Sequence, residues 1–101
     1  MNKEESPSDF ILKLQAIIQN RKDESPEGSY TASLFQKGID RILQKVGEES
    51  VEYILASKNS DKERIVSEGA DLVYHLLVSL SANNLSIEDL SQELQRRHGS
   101  K

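Results

Sequence analysis

Apolar residues recur along the chain every three to four positions and nowhere alternate with a period of two, a pattern that predicts helices throughout and no strand. In "ESPSDFILKLQAIIQNRK", Phe10, Ile11, Leu14, Ile17 and Ile18 share one face of a first helix. Its start is marked by Ser6 as N-cap, Pro7 at the first helical position and Asp9 three residues after the cap. "DESPEGSY", with Pro26 and Gly28, reads as a loop, and Ser29 or Thr31 is placed to cap a short helix over about Thr31 to Lys37. A second long helix, roughly 39–57, is expected to bury Ile39, Ile42, Leu43, Val46, Tyr53 and Ile54. The polar connector "SKNSD" leads to a third, roughly 61–80, with Ile65, Leu72, Val73, Leu76, Leu77 and Leu80 on one face. "ANNL" ends it, and Ser86 and Asp89 in "SIED" form a capping box for a last helix that turns Ile87, Leu90 and Leu94 inward and frays near Gly99. The expected fold is all-α: one domain over residues 1–101, a helical bundle built around an antiparallel hairpin.

Composition narrows the field. A chain of 101 residues is near the lower limit for a self-sufficient core, and a hydrophobic fraction of 36% without Trp is lean for a monomer. Completion of the core by a second copy, a homodimer, is therefore expected. The absence of cysteine removes disulfides, thiolate zinc sites and thiol nucleophiles. "MNKEESPSDF" has no apolar signal-peptide core, and the apolar runs fall short of a membrane span, which makes a soluble cytoplasmic protein the expectation. A net charge of −4 argues against a general nucleic-acid binder.

Against this background the acids of "KVGEESVEYILASKNSDKERIVSEGADLVYHLLVSL" stand out. At about 100° per residue, Glu49 falls on the border of the apolar stripe of its helix, with Glu52 further round on the same side; Glu68, Asp71 and His75 form a ridge along the next helix. A connector as short as "SKNSD" folds the two helices back antiparallel. Folding between Asn59 and Ser60 sets Glu49 level with Ala70 and Glu52 level with Ser67, so the four acids stand at one height. Two carboxylates about 4 Å apart repel by roughly 4 kcal/mol even at an effective dielectric of about 20. Protonation, Lys or Arg partners, or a divalent cation must relieve that repulsion. All-oxygen donors without Cys or a His cluster would select a hard ion, Mg²⁺ or alternatively Mn²⁺. Arg41 and Lys45 lie on the same side of the helix one and two turns earlier, preceded by Lys37, a ladder suited to polyphosphate oxygens. The plainer alternative is a solvated acidic face with ordinary i,i+4 ion pairs, each contributing a few tenths of a kcal/mol.

"EESVE" followed by "EGAD" resembles the paired acidic signature, E-E-x-x-E then E-x-x-D, of the MazG-like all-α nucleotide pyrophosphohydrolases. More closely, "SYTASLFQKGIDRILQKVGEESVEYILASKN", "EGADLVYHLLVSL" and the closing "ELQRRH" resemble the phosphoribosyl-ATP pyrophosphohydrolases of histidine biosynthesis, over most of the chain from about Arg21 onward. The resemblance implies a helical homodimer that hydrolyses phosphoribosyl-ATP to phosphoribosyl-AMP and pyrophosphate with Mg²⁺. It puts Glu49, Glu52, Glu68 and Asp71 at the metal-binding positions of the motif and Glu48 at its leading acid; Ser50 and Gly69 depart from it without removing an acid. The family often occurs fused to the cyclohydrolase of the following step, and a chain of this length points to the stand-alone form.

Within that scheme Glu48 or Glu52 is the candidate catalytic base, and Lys37, Arg41 and Lys45 are candidates for phosphate contacts. His75 could position substrate or a carboxylate, or act as a hydrogen-bonded spacer; Tyr30 could touch the nucleotide or only pack over a helix end. Arg21, Lys22 and Arg97 are weaker candidates. Two other functions fit the same residues: a house-cleaning pyrophosphohydrolase of free nucleoside triphosphates, and a non-catalytic helical adaptor whose acids keep it soluble.

Overall fold

A computed structural model describes residues 6–99 as five helices in chain order, with no strand among the described residues. Helix α1 spans Pro7–Glu24, α2 Tyr30–Lys37, α3 Ile39–Lys58, α4 Lys62–Ala82 and α5 Ile87–Gly99. The caps account for most of these limits. Ser6 Oγ accepts the Asp9 N–H (3.2 Å), Ser29 Oγ accepts that of Ala32 (3.0 Å) and Asp61 accepts that of Arg64 (3.2 Å). Ser29, then, and not Thr31, caps the short helix. The capping box of α5 is half formed: the Asp89 carboxylate accepts the Ser86 N–H at 2.9 Å. The end of α4 is a Schellman turn, with Asn84 left-handed at φ 61°, Leu85 N–H donating to Leu80 C=O (2.8 Å) and Asn84 N–H to Ser81 C=O (3.0 Å).

The core lies at one end of the molecule. Ile18, Leu34, Ile42, Leu77, Val78 and Leu80 pack together, with Leu14, Phe35, Tyr74, Ile87 and Leu90 around them. The segment of α4 from Leu77 to Ser81 is therefore enclosed on all sides, with Ser79 and Ser81 buried beside Leu77, Val78 and Leu80. A polar tie fixes the helices here. Buried Gln15 of α1 donates to Leu77 C=O (3.0 Å) and Ser81 Oγ (2.8 Å) and accepts the Ile87 N–H that opens α5 (2.9 Å). Lys22 of α1 donates to Ser81 C=O (2.9 Å) and Asn84 Oδ1 (3.2 Å), a cation at the negative end of α4. By length and composition α4 is one helix that could cross a membrane, which the run of short apolar stretches did not suggest; here its apolar half is the core.

Helices α3 and α4 form the expected antiparallel hairpin, joined only by residues 59–61, with Ser60 left-handed at φ 57°. Its interior differs from the expected stripe. Of the α3 residues expected inside, Ile42 is buried and Val46 half-buried, whereas Ile39, Leu43, Tyr53 and Ile54 are exposed. The helices meet along Ile42, Glu49 and Ala56, where small Ala56 lets the backbones approach. At about 100° per residue, Leu43 and Ile54 stand some 120–140° away from Glu49 on the helix. On α4, Val73 is exposed and Ile65, Leu72 and Leu76 are half-buried. Phe10, Ile11 and Leu94 are also exposed, because α1 and α5 overhang the core at those ends. The hairpin thus has an acidic face and, opposite it, an apolar face carrying Leu43, Ile54, Val66 and Val73.

Candidate metal and phosphate site

On the acidic face the antiparallel register brings Glu49 of α3 beside Glu68 and Asp71 of α4. One carboxylate oxygen from each lies within 4.8 Å of the others. Gly69 of α4 faces the Tyr53 ring of α3 across the hairpin; a Cβ there would sit 3.4 Å from the ring, in ordinary contact. Glu49 and Glu68 are half-buried and Asp71 is exposed. At an effective dielectric of about 20, unit charges at that separation repel by roughly 3 kcal/mol per pair before solvent screening.

Two cations bracket the trio. Lys45, one turn before Glu49, pairs with Glu49 (3.3 Å) and Glu48 (3.4 Å). Arg64, one turn before Glu68, pairs with Glu68 (3.3 Å) and reaches across the hairpin to Glu52 (3.7 Å). Arg41 extends the ladder to Glu48 at 3.8 Å. Glu52 stands outside the trio and joins it only through Arg64, a residue that sequence reasoning passed over although its i,i+4 spacing to Glu68 was visible. Glu48 points to the Arg41–Lys45 side. Five carboxylates (Glu48, Glu49, Glu52, Glu68, Asp71) face three cations (Arg41, Lys45, Arg64), which leaves two negative charges in excess. One divalent ion would balance them, and three oxygen donors with room for water and phosphate oxygens fit a hard cation. Burial works to lower the Lys45 pKa, but the hydrogen bond to Glu49, the attraction of Tyr30 and the hydrogen bond to Glu48 outweigh it and raise the pKa overall. Lys45 therefore keeps its charge through neutral pH. Lys37 lies exposed in the last turn of α2, separated from the α3 ladder by the non-helical Gly38 at φ 100°.

His75 is 5% exposed and both its ring nitrogens are engaged. Nδ1 lies 2.8 Å from Asp71 C=O, which can only accept, so Nδ1 carries the proton; Nε2 is left to accept the Tyr30 hydroxyl at 2.9 Å. The imidazole meets the Tyr30 and Tyr74 rings edge-on, at 5.9 and 5.6 Å. It ties the start of α2 to the helical turn that carries Asp71. Tyr30 itself is 53% exposed. Beyond it, a cavity of about 670 Å³ opens between the end of α1, the α1–α2 loop and Tyr74. Tyr74 is hydrogen-bonded to Thr31, and burial raises the pKa of its hydroxyl, partly offset by the charge of Arg21. Of the weaker candidates, Arg21 lines this cavity, Lys22 is the cap of α4 already described, and Arg97 is bound to Glu93 at 3.0 Å on α5.

Comparison with known proteins points the same way. The sequence profile of the family described as phosphoribosyl-ATP pyrophosphohydrolase matches residues 11–98. The chain is 51% identical over 98 residues to the histidine biosynthesis bifunctional protein HisIE of Bacteroides thetaiotaomicron, covering 97% of this chain and 48% of that protein. It is 48% identical over 91 residues to the phosphoribosyl-ATP pyrophosphatase of Clostridium acetobutylicum (90% of this chain, 83% of that one). To the phosphoribosyl-ATP pyrophosphatase of Leptospira biflexa it is 46% identical over 90 residues (89% and 98%). The chain thus spans about half the length of the bifunctional relative and most of the length of the other two. On this likeness, and with its acids gathered on one helical hairpin, the chain belongs to the phosphoribosyl-ATP pyrophosphohydrolase family.

Proposed function

We propose that the chain hydrolyses phosphoribosyl-ATP to phosphoribosyl-AMP and pyrophosphate, as a step of histidine biosynthesis, in the cytoplasm and as a homodimer. The observation that carries this reading is the trio Glu49, Glu68 and Asp71, bracketed by Lys45 and Arg64, in a chain with two relatives named phosphoribosyl-ATP pyrophosphatase. Family membership sets the adaptor reading aside. The exposed apolar face of the hairpin supports the dimer.

Glu49, Glu68 and Asp71 would hold the ion, Mg²⁺ by donor type with Mn²⁺ as an alternative, and Glu52 would complete the set once Arg64 turned to the substrate. When bound, such an ion neutralises phosphate charge and acidifies a coordinated water. The chain supplies the rest. Lys45 and Arg41 line up along α3 to receive phosphate oxygens, and Arg64 stands on the opposite side to stabilise the departing pyrophosphate. Water attacks the α-phosphorus, the α–β anhydride bond breaks, and the water's proton passes to a carboxylate. We assign that proton to Glu52, which has a single long ion pair, over Glu48, whose oxygens are engaged by two cations.

The test compares pyrophosphate release from phosphoribosyl-ATP and from a panel of free nucleoside triphosphates, with and without chelator. Phosphoribosyl-ATP should be strongly preferred and chelator should abolish turnover. Preference for any free triphosphate would identify a house-cleaning enzyme instead. Glu49→Gln should lose at least about 100-fold in kcat with the helical fold retained, as expected when a metal ligand and its charge are removed.

A further inference from the structure

The geometry points to a second binding site, the cavity beside Tyr30, as the seat of the phosphorylated ribose that distinguishes phosphoribosyl-ATP from ATP. This deepens the reading of the acid trio as the place of triphosphate cleavage, and rests on it.

Three observations support the assignment. The first is position. Tyr30 forms a wall of the cavity, its hydroxyl is bonded to His75, and His75 is bonded to the backbone of Asp71. A substrate with its triphosphate on Lys45 and the trio would therefore pass over Tyr30 to reach the cavity. The second is size, since this solvent-open groove of about 670 Å³ falls in the range of a small-molecule site.

The third is chemistry. Arg21 is half-buried at the cavity and makes no ion pair among the described residues, so its guanidinium is available for a phosphate. Glu24 and Glu27 also line the cavity and would repel a polyphosphate, which argues against a second triphosphate site. Carboxylates suit the hydroxyls of a ribose, as they do in other nucleotide sites. Asn20 adds a donor and an acceptor, and Tyr30 and Tyr74 add aromatic faces against which a sugar ring can pack. One cation, two carboxylates and an aromatic wall match a sugar monophosphate better than any other part of a nucleotide. A free nucleoside triphosphate has no group to place there.

The experiment uses the full chain and two readouts. In steady-state assays, Arg21→Ala should raise KM for phosphoribosyl-ATP by about 10- to 100-fold, the effect of losing one charge-assisted phosphate contact, with kcat within about 3-fold of the parent. Arg21→Lys should recover part of the loss. Slow turnover of ATP should be unchanged, because ATP leaves the cavity empty. An unchanged KM for phosphoribosyl-ATP, or an equal loss on both substrates, overturns the assignment while leaving the proposed reaction intact. Independently of turnover, ribose 5-phosphate added without metal should shift the amide resonances of Asn20, Thr31 and Tyr74 in the parent and not in Arg21→Ala. Absence of those shifts in the parent also overturns the assignment. If the parent fails to hydrolyse phosphoribosyl-ATP, the proposed function falls, and the ribose 5-phosphate titration still decides whether the cavity binds a sugar phosphate.

Discussion

Asp71 is the acid of the trio with the least to hold it. Glu49 is tied to Lys45 and Glu68 to Arg64, whereas no ion pair engages Asp71 among the described residues. Without a metal its charge faces two others and gains nothing in return. Such a group should cost the folded chain stability that function requires it to give up. Asp71→Asn, of nearly the same shape, should therefore stabilise the metal-free chain by about 1 kcal/mol after solvent screening, a rise of about 4–8 °C in Tm for a domain of this size. Magnesium should raise the Tm of the parent and leave that of the variant unmoved, because a ligand stabilises only the state it binds. Thermal melts in chelator and in magnesium measure both. A variant that melts lower than the parent in chelator would show that Asp71 has a stabilising partner and that the trio is not held under repulsion. The approach of Glu49 to Glu68 and Asp71 was legible in the sequence because a three-residue turn folds the two helices back antiparallel, whereas Glu52, expected level with them, stands outside the trio. Arg64 was not singled out and Arg21 ranked only as a weaker candidate, since the first matters through its cross-helix reach to Glu52 and the second through a cavity built from three separate segments.

At the scale of the helices, α5 depends on a side chain that no hydrophobic pattern would mark. None of its residues is buried, and Ile87 and Leu90 only lean on the core. What orients it is Gln15, whose amide closes three hydrogen bonds to α4 and to the first N–H of α5. Gln15→Ala leaves the Ile87 N–H and the Ser81 hydroxyl without that partner beside a groove that water can enter, at a cost of about 1–2 kcal/mol. Urea melts should show the loss, and hydrogen exchange should show faster exchange at the start of α5 while α3 and α4 keep their relative protection. Uniform acceleration across all five helices would mean that Gln15 supports the whole core and not this docking. Helix limits were readable where Ser6 and Ser29 announce them locally, whereas Asp61, which caps α4, stood inside the expected helix. Which apolar stripe of α3 meets α4 was not, because the helix carries two, and the one that periodicity ranked first is exposed.

That second stripe bears on the molecule as a whole. Leu43 is 50% and Ile54 55% exposed on one side of α3, with Val66 and Val73 on the matching side of α4, directly opposite the acids. A lone chain gains nothing from leaving these residues in water at about 25 cal/mol per Å² of apolar surface. An isologous dimer through this face would bury each residue twice and leave both acid sites open to solvent on the outer surfaces. Leu43→Asp tests this cleanly, because within a single chain the side chain touches solvent and the substitution should leave the fold intact. Across a two-fold interface it would set carboxylates among apolar side chains, and each would have to be desolvated. Light scattering at micromolar concentration should give about twice 11.4 kDa for the parent and about 11.4 kDa for Leu43→Asp, with unchanged helical circular dichroism. A parent mass of one chain would exclude the dimer. A variant that stayed dimeric would move the interface away from the hairpin, to the exposed ends of α1 and α5. If the variant is monomeric yet still binds magnesium, then each acid trio is complete within its own chain, since every one of its donors comes from the same hairpin.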